Sequence, residues 1–211
     1  MRLMVSGFEP FGGDSTNPSR EIALGLGAGP PPEPFSDCAC LVLPTEYEDA
    51  AARLLGAVNA GRPDVLIMFG LAARSTAYRL ERFALNLADC VDADNAGCVK
   101  RDAQIASDGP AALRTDLDLE WIANRTFALT GHAPQISNHA GTFVCNFVYY
   151  SVLSQFALSQ FAVEAPNTTA LFVHVPWAVD ADGGAQGAAP LVVHRDVARG
   201  VIRATGEALS G

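Results

Sequence analysis

The chain has 211 residues, enough for one α/β domain that buries roughly 70% of its unfolded surface without a disulfide or metal staple. Apolar residues make up 49% and charged residues 18%, which excludes a disordered chain. Acidic residues outnumber basic ones, 23 to 14, for a net charge of −9, which argues against nucleic acid and against anionic membrane surfaces as partners.

Along the chain, strand-like segments alternate with helical ones, the pattern of an α/β domain around a largely parallel, buried sheet. Arg2–Ser6 reads as a first strand and Gly7–Asn17 as a loop rich in Gly, Pro and Phe. Asn17 followed by Pro18 starts a helix, with Asn as cap and Pro at the first helical position. Cys38–Leu43 reads as a second strand, and Thr45 with Glu48 forms a capping box that opens a helix to about Asn59. Val65–Phe69 is a continuous apolar run suited to a central strand covered on both faces. Tyr78–Leu87 is extended, and Asp94-Asn95-Ala96-Gly97 is a turn. Thr115–Leu129 reads as helix and Gln135–Ser137 as a short strand. Val144–Phe161, free of Gly and Pro, reads as a buried helix, Ala170–Val175 as a strand, and Pro190 opens a last helix to about Leu209. No repeat or linker divides the chain, so residues 1–211 are expected to form a single domain.

Five cysteines, Cys38, Cys40, Cys90, Cys98 and Cys145, are an odd number in a chain too long to be a disulfide scaffold. A reducing, cytoplasmic setting with buried thiols that behave as small hydrophobes is expected. Apart from Arg2, Met1–Val5 is apolar, but Ser6, Gly7 and Glu9 interrupt it short of a signal-peptide core. No apolar run reaches the roughly 18 residues of a membrane span.

Three side chains stand out chemically. Cys145 falls in the first turn of the Val144–Phe161 helix with Thr142 as a cap, where unpaired N–H groups and the helix dipole favour a thiolate and could hold an oxyanion. Position alone fits a buried bystander thiol as well. His174 interrupts an apolar strand just before Pro176, at the carboxyl end where open parallel sheets place their sites. Glu81 puts a carboxylate in an apolar extended segment. Neighbouring Arg82 points to the opposite face, so a histidine is a reasonable partner. His132 and His139 lie in loops, and His194 sits among charges on the last helix, so all three are expected at the solvated surface. The loop Gly7-Phe8-Glu9-Pro10-Phe11-Gly12-Gly13 matches neither phosphate-binding glycine pattern. Its two phenylalanines suit apolar walls for a small flat ligand. Cys38-Ala39-Cys40 lacks a second ligand pair, so no metal site is expected.

Together these segments resemble the pyroglutamyl peptidase I (pyrrolidone-carboxylate peptidase) family. The resemblance is carried by Gly7–Gly13 with Asn17-Pro18-Ser19, by Glu81-Arg82-Phe83-Ala84-Leu85-Asn86, by Ala140-Gly141-Thr142-Phe143-Val144-Cys145-Asn146, and by Phe172-Val173-His174-Val175-Pro176. The four occur in family order. The resemblance implies a three-layer α/β/α sandwich around a mostly parallel twisted sheet. It also implies a cytoplasmic, cofactor-free cysteine peptidase acting on peptides blocked by N-terminal pyroglutamate, and a homotetrameric assembly. It assigns Cys145 as nucleophile, His174 as general base and Glu81 as its orienter. Phe8, Phe11, Phe143 and Val144 would line a lactam pocket, with backbone contacts from Asn17 and Leu71. Leu71 stands where the family has Gln, Ala73 replaces a glycine, and Val91 stands where the family has arginine. These departures leave two alternatives to be weighed: a relative with a drifted pocket that hydrolyses another N-acyl or lactam substrate, and a non-catalytic binding relative.

Overall fold

The computed structural model describes residues 1–159, 168–179 and 189–210. Its elements follow in the order β1 (Arg2–Phe8), α1 (Pro18–Gly27), β2 (Asp37–Leu43), α2 (Tyr47–Gly61), β3 (Val65–Leu71), β4 (Arg79–Leu85), β5 (Ala112–Arg114), α3 (Leu119–Thr130), β6 (Gln135–His139), α4 (Val144–Ser159), β7 (Thr169–Val175), β8 (Ala178–Val179), β9 (Ala189–Pro190) and α5 (Leu191–Ala208). Strands β2, β1, β3 and β7 lie side by side and parallel. Strand β4 adds antiparallel to β7 and carries β6 parallel to itself. Where β7 leaves β4, the short β5 takes its place antiparallel to Phe83–Leu85. Strands β8 and β9 form a separate two-stranded ribbon.

The period-two rule of a strand sorts the apolar side chains onto two faces. Leu3, Val5, Val65, Ile67, Leu171 and Val173 pack with α1, α3 and α5. Met4, Leu66, Met68, Ala170 and Phe172 pack with α2 and α4 on the other side. All seven residues of β3 are buried, as expected of a central strand covered on both faces. The result is the expected three-layer α/β/α arrangement around a mostly parallel sheet.

Element boundaries differ from the sequence expectation where a remote partner intervenes. Helix α1 starts as expected, with Asn17 Oδ1 accepting from the Ser19 N–H at 3.0 Å and Pro18 as its first residue. The Thr45–Glu48 capping box does not form. Thr45 Oγ1 donates to the Glu9 carbonyl at 2.8 Å, α2 begins at Tyr47, and Asp94 Oδ2 accepts the Tyr47 N–H at 3.1 Å. Asp94 Oδ1 also accepts from Ala96 and Cys98 N–H, which builds the expected turn. Helix α3 starts at Leu119, later than Thr115, because Asp118 caps it through the Trp121 N–H. Thr115 itself donates to the Ala170 carbonyl at 2.7 Å. Helix α4 is described to Ser159; the expected last two residues, 160 and 161, lie outside the described residues. His194 is fully buried, not solvated, because it shares the α5 face of Val197, Ala198 and Val201. There its Nε2 lies 3.3 Å from the Trp177 carbonyl, and burial lowers its pKa. No described helix is long and apolar enough to cross a membrane.

Candidate active site

The parallel strands end on one edge of the sheet, and the chemistry collects there. His174 is the next-to-last residue of β7 and shares a face with Phe172, toward α2 and α4. Glu81 lies on the same face of β4, in register with Phe172. That diagonal brings its Oε1 within 2.8 Å of His174 Nδ1. Glu81 is fully buried, and its Oε2 has no hydrogen-bond partner among the described residues. With Nδ1 turned to Glu81, Nε2 is the ring nitrogen left for Cys145 in the same cleft. Burial alone would lower the His174 pKa, but the neighbouring Cys145 and Glu81 outweigh it and hold the ring up to about 9. Arg82 is not involved; its Nη1 donates to Asn138 Oδ1 at 3.0 Å, as the alternation of a strand requires.

Cys145 is the second residue of α4, where backbone N–H groups have no intrahelical partner. Gly141, at φ 82°, turns the chain into this helix. The thiol stands against β3 with no room to spare. A Cβ on Gly70 would lie 2.9 Å from Cys145 Sγ and 2.7 Å from the Phe172 ring. Asn146, directly after the cysteine and fully buried, fixes the helix to the chain leaving β4. Its Oδ1 accepts from Leu85 N–H at 2.8 Å, and its Nδ2 donates to the carbonyls of Leu85 and Leu87, both at 2.9 Å. Thr142 Oγ1 donates to the Asp89 carbonyl at 2.6 Å, while Asp89 N–H donates back to the Thr142 carbonyl at 3.0 Å.

A cleft of about 600 Å³ contains Cys145 and His174 together with Phe8, Phe11, Asn17, Leu71 and Phe143. The Phe11 and Phe143 rings lie 5.9 Å apart, and Tyr47 meets Phe143 edge-on at 5.4 Å. Phe8 is nearly buried against Phe172, whose ring lies 4.9 Å from that of His174. The side chain of Asn17 is spent on Ser19 and the Glu9 carbonyl, so only its backbone is open to a ligand. Its carbonyl takes a long 3.3 Å bond from Glu21 N–H and retains a second lone pair. Val144 is the exception among the expected residues: its side chain is fully buried in the α2–α4 core and does not line the cleft. His139 ends β6 at the cleft, exposed, with Nδ1 accepting from Gly141 N–H.

The departures at Leu71, Ala73 and Val91 fall on the cleft wall. Ala73 causes no backbone strain, since Arg62 and Asp102 are the non-glycine residues with positive φ among those described. Val91 is 68% exposed at the rim, and Arg101 lines the same cleft with Nη1 3.6 Å from Asp89 Oδ1. A second cavity, about 660 Å³ and lined by Arg82, Arg114, Asp116 and Asp118, contains neither the thiol nor His174.

Gly70, Asn146 and Arg79 received no role from sequence reasoning. A glycine ending a continuous apolar strand, and an asparagine just inside an apolar helix, were the available signals for the first two. Arg79 lines the cleft as a half-buried cation, a placement that no local pattern reveals.

A family profile described as pyroglutamyl peptidase matches residues 1–209. The chain belongs to that family. The pyrrolidone-carboxylate peptidase of Levilactobacillus brevis is 35% identical over 177 residues, 84% of this chain and 82% of that protein. The Streptomyces coelicolor pyrrolidone-carboxylate peptidase is 34% identical over 194 residues, 91% of this chain and 86% of the relative. Among solved structures, pyroglutamyl peptidase I of Bacillus amyloliquefaciens superposes with a TM-score of 0.85 at 26% identity, over 98% of this chain and 97% of that one. A mutant pyrrolidone carboxyl peptidase from Pyrococcus furiosus gives 0.88 at 28% identity, over 99% and 100% of the two chains. The sandwich fold is therefore that of the pyroglutamyl peptidases, which are enzymes.

Proposed function

We propose that this pyroglutamyl peptidase family member hydrolyses the bond between an N-terminal pyroglutamate and the next residue of a peptide, with Cys145 as nucleophile, His174 as proton carrier and Glu81 as the group that orients it. The observation that carries this reading is the 2.8 Å Glu81–His174 bond on a ring that shares its cleft with Cys145 and the apolar walls of Phe8, Phe11 and Phe143. A pyroglutamyl ring is flat and uncharged, so apolar walls and a few backbone partners suit it better than a carboxylate would. A pocket that pairs both lactam groups rejects proline-like rings, which would leave its polar groups unpaired.

The proposed steps are these. The Cys145 thiolate adds to the pyroglutamyl carbonyl carbon, and the oxygen takes the charge beside the first-turn N–H groups of α4. The His174 imidazolium gives its Nε2 proton to the amine nitrogen as the C–N bond breaks, leaving a thioester on Cys145. Water then loses a proton to Nε2 and attacks the thioester carbon. The C–S bond breaks, pyroglutamate leaves, and the thiolate–imidazolium pair is restored. Glu81 keeps the ring's tautomer fixed throughout.

A reduced thiol is a requirement of this chemistry, so a reducing, cytoplasmic location is part of the proposal. So is a homotetramer, which size-exclusion chromatography with light scattering tests directly. The test of function is release of a chromophore from a pyroglutamyl amide by the wild type and by Cys145→Ser. Release by the wild type alone supports the reading; no release, or equal release by both, contradicts it. Leu71 and Val91 on the cleft wall favour a second reading, hydrolysis of a different N-acyl or lactam substrate. That reading predicts rapid alkylation of Cys145 without cleavage of the pyroglutamyl amide.

A further inference from the structure

Arg79 opens β4 directly opposite His174 in antiparallel register. Directly opposed residues put their side chains on the same face, with Cβ atoms about 5 Å apart. Glu81, two residues along, shares that face and is already committed to His174. The Arg79 side chain therefore rises beside the imidazole and lines the cleft that holds Cys145. It is half-buried. No ion pair or side-chain hydrogen bond joins its guanidinium to any described residue; even Glu81 Oε2 stays without a partner. An unpaired, partly desolvated cation carries a cost that a bound anion would offset. In a chain of net charge −9, an unpaired guanidinium next to the reacting groups is a local reversal of sign.

The strand order says which part of a substrate would meet it. Reading across the sheet, β1 and β3 bring Phe8 and Leu71, β7 brings His174, and β4 brings Arg79. With the acyl group against Phe8, Phe11 and Phe143, and its carbonyl at Cys145, the departing amine passes His174 toward β4. Arg74 lines the same cleft and has no partner among the described residues, whereas Arg101 is held by Asp89.

We propose that Arg79 selects substrates carrying a carboxylate on the residue that follows the pyroglutamate, either an acidic side chain or the free C-terminus of a dipeptide. The inference rests on the peptidase reading above. The test compares kcat/KM for four substrates at low ionic strength: pyroglutamyl-alanine amide, pyroglutamyl-glutamate amide, pyroglutamyl-alanine as the free acid, and pyroglutamyl-lysine amide. For the wild type at least one carboxylate-bearing substrate should exceed the neutral amide about fivefold, the size of a partly exposed charge pair, and the lysine substrate should fall below it. Which of the two acids gains identifies the source of the carboxylate. Arg79→Gln should bring the ratio near unity, Arg79→Lys should keep part of it, and Arg79→Glu should invert it toward lysine. Added salt should shrink the wild-type preference, a readout that needs no variant to fold. A wild type that cleaves all four without charge preference, or an Arg79→Gln enzyme with the wild-type ratio, overturns the assignment of Arg79 alone. No release from any of the four overturns the peptidase reading, and the inference with it.

Discussion

On the β1–β3 side of Cys145 the cleft is walled by Phe8, Phe11, Leu71 and Phe143, whereas the β4 side carries Glu81 and Arg79. The parallel strands bring shape and a dry surface. The antiparallel strand brings charge, because its first residues, not its last, reach the edge where the parallel strands end. Under the proposed reaction, binding of the ring and activation of the thiol fall to different parts of the sheet and meet at His174. They should therefore fail differently when altered.

The largest effect is expected on the charged side. Glu81→Gln keeps the shape but removes the group that fixes the His174 tautomer, so kcat should fall about 10³-fold, on the order of 4 kcal/mol, with KM for a pyroglutamyl amide little changed. Steady-state kinetics check this, and a change confined to KM would erase the division between the two sides. Next comes pH. His174 is held up to about 9, above its ordinary 6.5. Its folded pKa is raised, so its contribution to stability is fully present below pH 6.5 and is lost as pH rises through 9. The stability difference between the wild type and His174→Gln should narrow by about 3 kcal/mol across that window, measured by urea unfolding at each pH. A difference that grows with pH would reverse the assignment.

Gly70→Ala tests the parallel side. The new Cβ would crowd both Cys145 Sγ and the Phe172 ring, costing roughly 2 kcal/mol of stability and displacing the proposed nucleophile. Both thermal unfolding and kcat should register it; an unaffected kcat would mean that the sulfur tolerates displacement. The smallest effect belongs to the frame around the cleft. Asp94→Ala removes the acceptor for the N–H groups of Tyr47, Ala96 and Cys98. It should cost about 1–2 kcal/mol in chemical denaturation while the pH profile of the reaction keeps its form.

The same contrast governs how much could be read in the sequence. Strands β1, β3 and β7 announce themselves as apolar runs, because burial on both faces leaves few polar positions. Glu81 and His174 were visible as polar interruptions of such runs, and strand alternation alone separated Glu81 from Arg82. Cys145 was ambiguous as a lone thiol; the order of four motifs, not its helix position, singled it out. What stayed hidden depends on partners distant in sequence. Asp94 caps α2 from 47 residues away, in place of Thr45. Asn146 bonds to Leu85 across 61 residues. His194 is buried because its helix turns that face inward, which its charged neighbours in the chain concealed.

The central claim is that Cys145, alone among the five thiols, is acylated by a pyroglutamyl substrate. Its most direct test is to mix the wild type with an activated pyroglutamyl ester, quench in acid within the first turnover, and locate the acyl group by peptide mass spectrometry. The account predicts one pyroglutamyl thioester, on the peptide containing Cys145, and none in Cys145→Ser. An acyl group on Cys38, Cys40, Cys90 or Cys98, or turnover without any thioester, would contradict it.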